Sequence, residues 1–391
     1  MAERVAIVGV GHTAFRATSP GLSYKELSFE AATRAYVDAG LDARTEIDSF
    51  LTCSEDLAEG TSIFDEYVPD QIGGAQRPVY TIGGDTIQGL ATAYMQIASG
   101  LVNVVAVEAH SKASNVVTAG ELHAFALDPI FVRPLDFNAH VMAGLEASMY
   151  LAASGATREQ CAHVAAKNRR NALANPSAAY AAAVEPQDVL ASPAAFAPLS
   201  ELEVSAPADG AVVIVLASEK RAKELAGLPT GQAGLPVWVR GIGWATGTAV
   251  TGGVGGCFAD YATFAAARAY RMAGIREPRR EIDFAEVDDS YSFKELQHLE
   301  ALALFKQGQA GAATADGSTG RDSDLPVNGS GGCLGVGQLL EASGGQKVAE
   351  VVAQLRGQAG ARQLKKAKTG LAQSWRGVPT STGGVVVLSR D

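Results

Sequence analysis

The segment Asn328–Gly344 reads NGSGGCLGVGQLLEASG, a glycine-rich loop that runs into a more apolar stretch. Its glycines suit tight turns and close approach of the backbone to another group. Two of its side chains carry chemistry, the thiol of Cys333 and the amide of Gln338. A glutamine amide donates and accepts hydrogen bonds but does not take up a proton near neutral pH. The loop therefore indicates a reaction or binding site that has no base at position 338.

The chain also contains two copies of one α/β unit. The first copy reads VAIVGVG at residues 5–11, AATRAYVDAG at 31–40 and EIDSFLT at 46–52. The second copy reads VWVRGIG at residues 237–243, AAARAYRMAG at 265–274 and EIDFAEV at 281–287. Each helix-like segment ends on glycine, the residue best suited to a left-handed C-cap. A repeat of this length predicts a duplicated α/β unit, and the short loops before each strand are typical of a doubly wound sheet.

The repeat divides the chain into an N-terminal half, residues 1–230, and a C-terminal half, residues 231–391. A mixed, proline-punctuated stretch from about residue 111 to 200 interrupts the first half. Strand-like Gly210–Ser218 then resumes the core, and the glycine- and proline-rich Gly227–Leu235 is the predicted linker.

Composition excludes several classes of function. The chain has 391 residues, a net charge of −10 and a pI near 5.2, which argues against nonspecific nucleic-acid binding. Its four cysteines form no CxxC pair, so we predict no metal site and expect free thiols in a reducing cytoplasm. The N-terminus lacks the features of a signal peptide, and no apolar stretch reaches the length that a membrane span needs.

The glycine loop resembles the thiolase loop N-x-x-GG-(five residues)-GHP-x-GA-[ST]-G. It keeps that loop's scaffold residues, namely Asn328, Gly331, Gly332, Gly337, Ala342 and Gly344. With the duplicated halves and the insertion, nearly the whole chain resembles the thiolase superfamily, in its lipid-transfer-protein or sterol-carrier branch. The resemblance implies a five-layer αβαβα fold, a homodimer, and a coenzyme A thioester as substrate with no covalently bound cofactor.

The residues that thiolases use for chemistry are changed. Thiolases have an activating histidine where this chain has Gln338, and they have a cysteine at the start of a buried helix whose counterpart here reads GGDTIQGLATAYMQIASG. An ungapped comparison places Gly83 at the cysteine position, and a three-residue shift places Thr86 there. A second family motif, NEAF or HDCF, reads DDSY at residues 288–291. A carboxylate at its first position repels the negative charge that an oxyanion hole stabilises, but it can accept a proton.

These departures, with the segment GVPTS at Gly377–Ser381, also resemble the steroid side-chain aldolases of the superfamily. Those enzymes split a β-hydroxyacyl-CoA without covalent catalysis and pair with a small OB-fold/zinc-ribbon protein. They use tyrosines at the positions of Asp288 and Gln338, so this chain does not copy them. We expect an acyl-CoA enzyme that makes or breaks a carbon–carbon bond, most simply by retro-aldol cleavage. The alternatives are a non-catalytic subunit of a thiolase complex, or a β-ketoacyl-CoA thiolase with Cys333 as a displaced nucleophile.

The candidate site residues follow from these motifs. The expected catalytic residues are Asp288, Tyr291, Gln338 and Cys333. The expected oxyanion and substrate contacts are Gly83, Asp85, Asn328, Gly332 and Gly384. The expected contacts to the CoA phosphates are Lys167, Arg169 and Arg170. Simpler interpretations stay open: Asp288 and Asp289 as a solvated strand end, Tyr291 as a core aromatic, Cys333 as a buried hydrophobe, and the two arginines as a solvated helix face.

Overall fold

The computed structural model describes residues 3–55, 63–116, 124–125, 127–136, 138–227, 234–247, 257–377 and 381–391. The strands in these ranges are β1 Val5–His12, β2 Ser49–Cys53, β3 Val79–Ile82, β4 Val104–Lys112, β5 Ala194–Phe196, β6 Leu199–Ser200, β7 Asp209–Ser218, β8 Val237–Thr246, β9 Phe284–Glu286, β10 Thr369–Arg376 and β11 Thr382–Ser389.

The α-helices in the same ranges are α1 Tyr24–Ala39, α2 Ala43–Glu46, α3 Phe64–Tyr67, α4 Pro69–Ile72, α5 Thr86–Ala98, α6 Ala139–Ser154, α7 Arg158–Asn171, α8 Pro186–Ala191, α9 Glu219–Ala226, α10 Asp260–Ala273, α11 Pro278–Glu281, α12 Ser292–Ala301, α13 Ala310–Ala315, α14 Gly332–Val336 and α15 Ser343–Arg356. None of them is both long and apolar enough to cross a membrane.

Nine of these strands form one large sheet in the order β3-β2-β4-β7-β1-β8-β11-β10-β9, and β5 and β6 pair separately. At its centre β1 and β8 pair antiparallel through Ala6–Trp238 and Ile7–Val237. Outward from this pair, β7 and β4 are antiparallel to their inner neighbours and β2 is parallel to β4. On the other side, β11 and β10 are antiparallel to theirs and β9 is parallel to β10. Apart from the edge strand β3, which pairs parallel with β2, the pairing pattern is therefore the same on both sides of the central pair.

Helices α5 and α15 form a central layer, because each packs against strands from both halves of the sheet, on either side of the β1–β8 pair. Their apolar residues share one buried cluster with both sets of strands, including Ile87, Val348, Val212 and Val386. Helix α1 covers the outer face of β1 and β7, and α10 covers the outer face of β8 and β11. The two halves of the sheet therefore lie on opposite faces of the central helices, so the order of layers is helix, sheet, helix, sheet, helix, as the sequence predicted.

The repeated glycines explain why the two copies share a sequence. A side chain at Gly11 would overlap the carbonyl oxygen of Ala31 in α1, and one at Gly243 would overlap that of Ala265 in α10. Glycine in the strand and alanine in the helix therefore allow the same close contact in both halves. The C-caps are also as predicted, with Gly40 at φ 66° and Gly274 at φ 74°.

The insertion lies between two strands that are neighbours in the sheet, β4 and β7. It contains α6, α7, α8 and the β5–β6 hairpin. Helix α7 begins with a capping box formed by Thr157 and Gln160, and it packs against α12, α13 and α14. The insertion thus reaches the C-terminal half. The division of the chain at residue 230 stays a prediction, because residues 228–233 lie outside the described ranges.

We expect Gly241→Ala to destabilise the protein, because its methyl group would overlap the carbonyl oxygen of Ala269 in α10. Overpacking a close contact of this kind costs about 1–3 kcal/mol. Gly227→Ala is the matched control, since among the described residues its new carbon would come no closer than 3.4 Å, to the carbonyl oxygen of Glu224. Thermal unfolding midpoints of the two variants would be compared, and equal midpoints would contradict the packing argument.

Candidate active site

The start of α5 is fastened to the glycine loop of the other half. Asp85 is the N-cap, and its Oδ1 accepts a hydrogen bond from the Ile87 amide at 2.9 Å. Its Oδ2 accepts one from the Gly344 amide at 2.8 Å, and the Thr86 hydroxyl donates to the Glu341 carbonyl at 2.7 Å. Burial raises the pKa of Asp85. Asp85 and Thr86 are therefore used to hold the helix in place.

Gly83 lies just before this helix. It is exposed, and a side chain there would meet no atom of the described residues within 4 Å. Its carbonyl accepts a hydrogen bond from Nη1 of Arg376 at 2.9 Å, and Arg376 also pairs with Glu55. Burial lowers the pKa of Arg376 to about 10. Gly384, by contrast, is buried in β11, where its lack of a side chain allows close contact with Ile87.

Asp288, Cys333 and Lys347 form a fully buried cluster. The Lys347 ammonium lies 3.0 Å from the Cys333 sulfur and 3.6 Å from Oδ2 of Asp288, and the sulfur lies 3.5 Å from the same oxygen. Burial, then the Asp288 carboxylate, raises the pKa of Cys333. Burial alone would lower the pKa of Lys347, but Cys333 and Asp288 raise it above its ordinary value. The cluster therefore holds a charged Lys347–Asp288 pair against a neutral thiol.

Asp289 caps the short helix of the glycine loop. Its carboxylate accepts hydrogen bonds from the amides of Cys333 at 2.5 Å and Leu334 at 3.2 Å, and from Nδ2 of Asn168 at 2.7 Å. Gly332 has φ 57°, and a side chain there would overlap the Asp289 carboxylate. Burial raises the pKa of Asp289 to about 7. Asp289 and Gly332 thus set the position of the loop relative to the DDSY motif.

Glu295, which follows the DDSY motif on α12, binds three more polar side chains. It accepts hydrogen bonds from Lys167, Asn168 and Asn328, each at 2.7 Å. Oδ1 of Asn328 accepts the Val287 amide at 2.8 Å, so Asn328 fixes the strand that leads to Asp288. The Lys167 ammonium is occupied by this buried carboxylate.

The predicted CoA contacts on α7 lie in different surroundings. Arg169 is buried and donates to the Leu202 carbonyl at 3.3 Å. Arg170 is exposed and pairs with Glu185 at 2.6 Å. Of the three predicted basic residues, Arg170 alone has its charged group on the surface, and a contact to a phosphate stays a prediction for it.

Gln338 and Tyr291 are both placed to make polar contacts. Oε1 of Gln338 accepts the Leu340 amide at 2.8 Å, which orients the half-buried side chain and leaves its Nε2 as a donor. The Tyr291 hydroxyl lies 3.3 Å from Nδ1 of His140 in the insertion. Burial raises the pKa of Tyr291, so it is a neutral phenol.

The structure adds a second polar network that the sequence reasoning missed. Lys294 donates to Glu146 at 2.5 Å and to the Tyr261 hydroxyl at 3.3 Å. Tyr261 contacts Nε2 of His298 at 2.9 Å, and Nδ1 of His298 lies 2.8 Å from the Asp288 carbonyl. A carbonyl only accepts, so Nδ1 carries the proton and Nε2 accepts from Tyr261. Burial lowers the pKa of His298 to about 3, so the ring is neutral.

One sequence signal could have pointed to this network. Lys294 and His298 are four residues apart on α12, so they share one helix face. Cys257, the remaining cysteine of interest, is half-buried, and residues 251–256 before it lie outside the described ranges. The GVPTS segment falls largely on 378–380, which are also outside them.

Comparisons with known proteins identify the family. Residues 249–390 match a family model described as thiolase C-terminal domain-like. Over 394 aligned residues the chain is 30% identical to an acetyl-CoA acetyltransferase of Methanothermobacter thermautotrophicus, with 99% of each chain covered. The chain belongs to the thiolase superfamily. It is therefore a member of a family of enzymes that act on acyl-CoA thioesters.

Two further relatives define the branch. The chain is 26% identical to sterol carrier protein 2 of Bos taurus, in an alignment that covers 99% of this chain and 72% of that protein. The solved Ltp2-ChsH2(DUF35) aldolase superposes with a TM-score of 0.83 at 25% identity, covering 99% of this chain and 97% of that one. The thiolase fold and the sterol-carrier branch predicted from the sequence are confirmed.

We expect Lys347→Met to destabilise the protein by about 3–5 kcal/mol, because it leaves the Asp288 carboxylate buried without its counter-charge. The double variant Lys347→Met/Asp288→Asn removes both charges and should recover most of that loss. Urea unfolding of wild type and the two variants measures the difference. A double variant no more stable than Lys347→Met would show that the pair is not an ionic unit.

Proposed function

We propose that this chain catalyses retro-aldol cleavage of a β-hydroxyacyl-CoA without an acyl-enzyme intermediate. The lack of a thiol at the start of α5 supports this most directly. Gly83 has no side chain, and the Thr86 hydroxyl is buried and bonded to Glu341. A thiolase needs a nucleophile at this helix start, where the amides and the helix dipole activate it. The similarity to a solved aldolase is consistent with the proposal.

The surrounding groups suit an enolate. In the proposed reaction the bond between Cα and Cβ breaks, and its electron pair stays on the thioester as an enolate. Nε2 of Gln338 and the backbone amides near Gly83 would donate hydrogen bonds to the enolate oxygen, whereas Gly384 is buried between two paired strands and is not proposed as a donor. One such donor contributes about two to three orders of magnitude in rate. The sequence suggests Asp288 or Tyr291 as the acceptor of the β-hydroxyl proton, but Asp288 is fully buried and Tyr291 is a neutral phenol, so another acceptor is needed.

Cys333 is poorly suited to the alternative role of a displaced nucleophile. Its side chain is 1% exposed, and burial raises the pKa of its thiol. Thiolates, not thiols, attack thioesters, so a buried neutral thiol is inert. Cys257 is the better exposed of the two cysteines in the glycine-rich segments.

The test combines product analysis with alkylation. With 3-hydroxy-3-phenylpropanoyl-CoA as probe, within a panel of β-hydroxyacyl-CoA thioesters, we expect benzaldehyde and acetyl-CoA without added coenzyme A. Iodoacetamide should label Cys257 before Cys333 in the native protein and leave cleavage intact, and Cys257→Ser serves as the control for labelling. Mass spectrometry locates the label.

Other outcomes identify the alternatives. Loss of activity that tracks alkylation of Cys333, with protection by substrate, would support a thiolase with a moved nucleophile. No cleavage of any thioester in the panel, by a chain that always isolates with a cysteine-bearing thiolase, would support a non-catalytic subunit.

We also propose that two copies of this chain pair through β3 and α5, and that each pair binds two small OB-fold/zinc-ribbon subunits. Strand β3 is at the edge of the sheet, where unpaired backbone groups can pair with another chain. Large side chains nearby are exposed, including Tyr80 at 51% and Met95 at 50%. The solved aldolase is named for two components, one of them a DUF35 protein. A small subunit would help to keep water from the enolate.

We expect Met95→Glu to convert the dimer to a monomer, because it places a charge in the proposed interface. Phe264→Glu is the matched control, since Phe264 is 61% exposed on α10, in the outer layer of the other half. Size-exclusion chromatography with light scattering measures the molecular mass of wild type and of both variants. A wild-type monomer would exclude the dimer, and a fully active dimer without a small subunit would exclude the partner requirement.

A further inference from the structure

Asp288 is not arranged to take a proton from a substrate. Its side chain is fully buried, and both carboxylate oxygens are occupied. Oδ1 accepts the Ser290 amide at 3.0 Å, and Oδ2 faces the Cys333 sulfur and the Lys347 ammonium. A general base has to come within hydrogen-bond reach of the proton that it removes. The reaction therefore needs another acceptor near the motif.

Glu146 on α6 has the features that Asp288 lacks. Its side chain is 19% exposed, whereas its partner Lys294 is fully buried. Lys294 binds Oε1 at 2.5 Å, and Nε2 of Gln297 binds the same oxygen at 3.2 Å. In the part of the chain that the structure describes, no group donates a hydrogen bond to Oε2. One oxygen is thus held by buried donors and the other is left for a substrate.

Contacts of Lys294 and Gln297 place Glu146 beside β10 and Cys257. The Lys294 ammonium lies 4.1 Å from the centre of a Trp375 ring in β10. The next residue, Arg376, donates to the carbonyl of Gly83. Gln297, the second donor to Glu146, also binds the carbonyl of Cys257, which follows the glycine-rich loop. Glu146 therefore lies beside Cys257 and close to the end of β10.

Lys294 is itself held in place. It donates to the Tyr261 hydroxyl, which donates to His298, whose other nitrogen binds the Asp288 carbonyl. This line of hydrogen bonds ties the Glu146 carboxylate to the DDSY motif.

We propose that Glu146 is the catalytic base of the retro-aldol reaction, with Lys294 and Gln297 as positioning residues; the assignment rests on the proposed function. The β-hydroxyl proton passes to Oε2 of Glu146 as the bond between Cα and Cβ breaks. The β-carbon leaves as an aldehyde or ketone, and the electron pair stays on Cα in the thioester enolate. Glu146 then returns the proton to Cα, so the net reaction moves one proton and needs no further reactant.

Glu146→Gln tests this assignment, because it keeps the shape and the contacts of Oε1 but cannot accept the proton. With 3-hydroxy-3-phenylpropanoyl-CoA and the full chain, isolated with any subunit that co-purifies, kcat should fall by about 10²–10⁴-fold with KM little changed. Glu146→Asp should recover part of the loss. Asp38→Asn is the matched control, since Asp38 is 25% exposed and pairs at 2.6 Å with the almost fully buried Arg356.

Each outcome decides the assignment. If wild type cleaves the thioester and Glu146→Gln retains its kcat, Glu146 is not the base and the retro-aldol function stands. If wild type cleaves none of the panel, both proposals fail. A loss of kcat in Asp38→Asn equal to that in Glu146→Gln would assign the effect to stability and overturn the proposal. If Glu146→Gln does not fold, the double variant Glu146→Gln/Lys294→Met replaces it, because removing both partners leaves no unpaired buried charge. A double variant that retains the wild-type kcat would also overturn the assignment of Glu146 as the base.

Discussion

The fold and the site both depend on the contact between the start of α5 and the glycine loop. An N-cap carboxylate ordinarily accepts hydrogen bonds from the first amides of its own helix. Asp85 also accepts one from the Gly344 amide, 259 residues further along the chain. A side chain at Gly344 would overlap that carboxylate, so glycine is required there. Through this contact the first half presents its helix start to the loop of the second half. The two halves can form a site only when both are folded and joined.

Buried charge is the second constraint on this site. Lys294 and Lys347 are both fully buried, and each has a carboxylate partner, Glu146 or Asp288. Moving such pairs out of water is expensive, and apolar residues of similar size would often be as stable. Their presence is therefore better explained by chemistry than by stability. The two carboxylates differ in access, because Asp288 is sealed and Glu146 is partly open.

The sequence predicted the parts of the molecule that depend on local or repeated patterns. Gly11 and Gly243 mark the close contacts of strand and helix, and the glycine loop indicated the family. The DDSY motif and the loop also predicted that Asp288 and Cys333 belong to one site. Glu146 and Lys294 were missed because they are 148 residues apart and a lysine on a helix is ordinarily exposed. Such pairs become visible only when the insertion is packed against the second half.

In the reaction that we propose, Gln338 takes no proton, so the proton transfer has to occur elsewhere in the site. An amide can stabilise an enolate, but it cannot exchange protons with the substrate. A thiolase keeps its base on the glycine loop, next to the nucleophile. Here the accessible carboxylate lies on α6, in the insertion that we expect to select the acyl group. Binding of the acyl chain and removal of its β-hydroxyl proton would then depend on the same helix, so the choice of substrate and the rate of cleavage become linked.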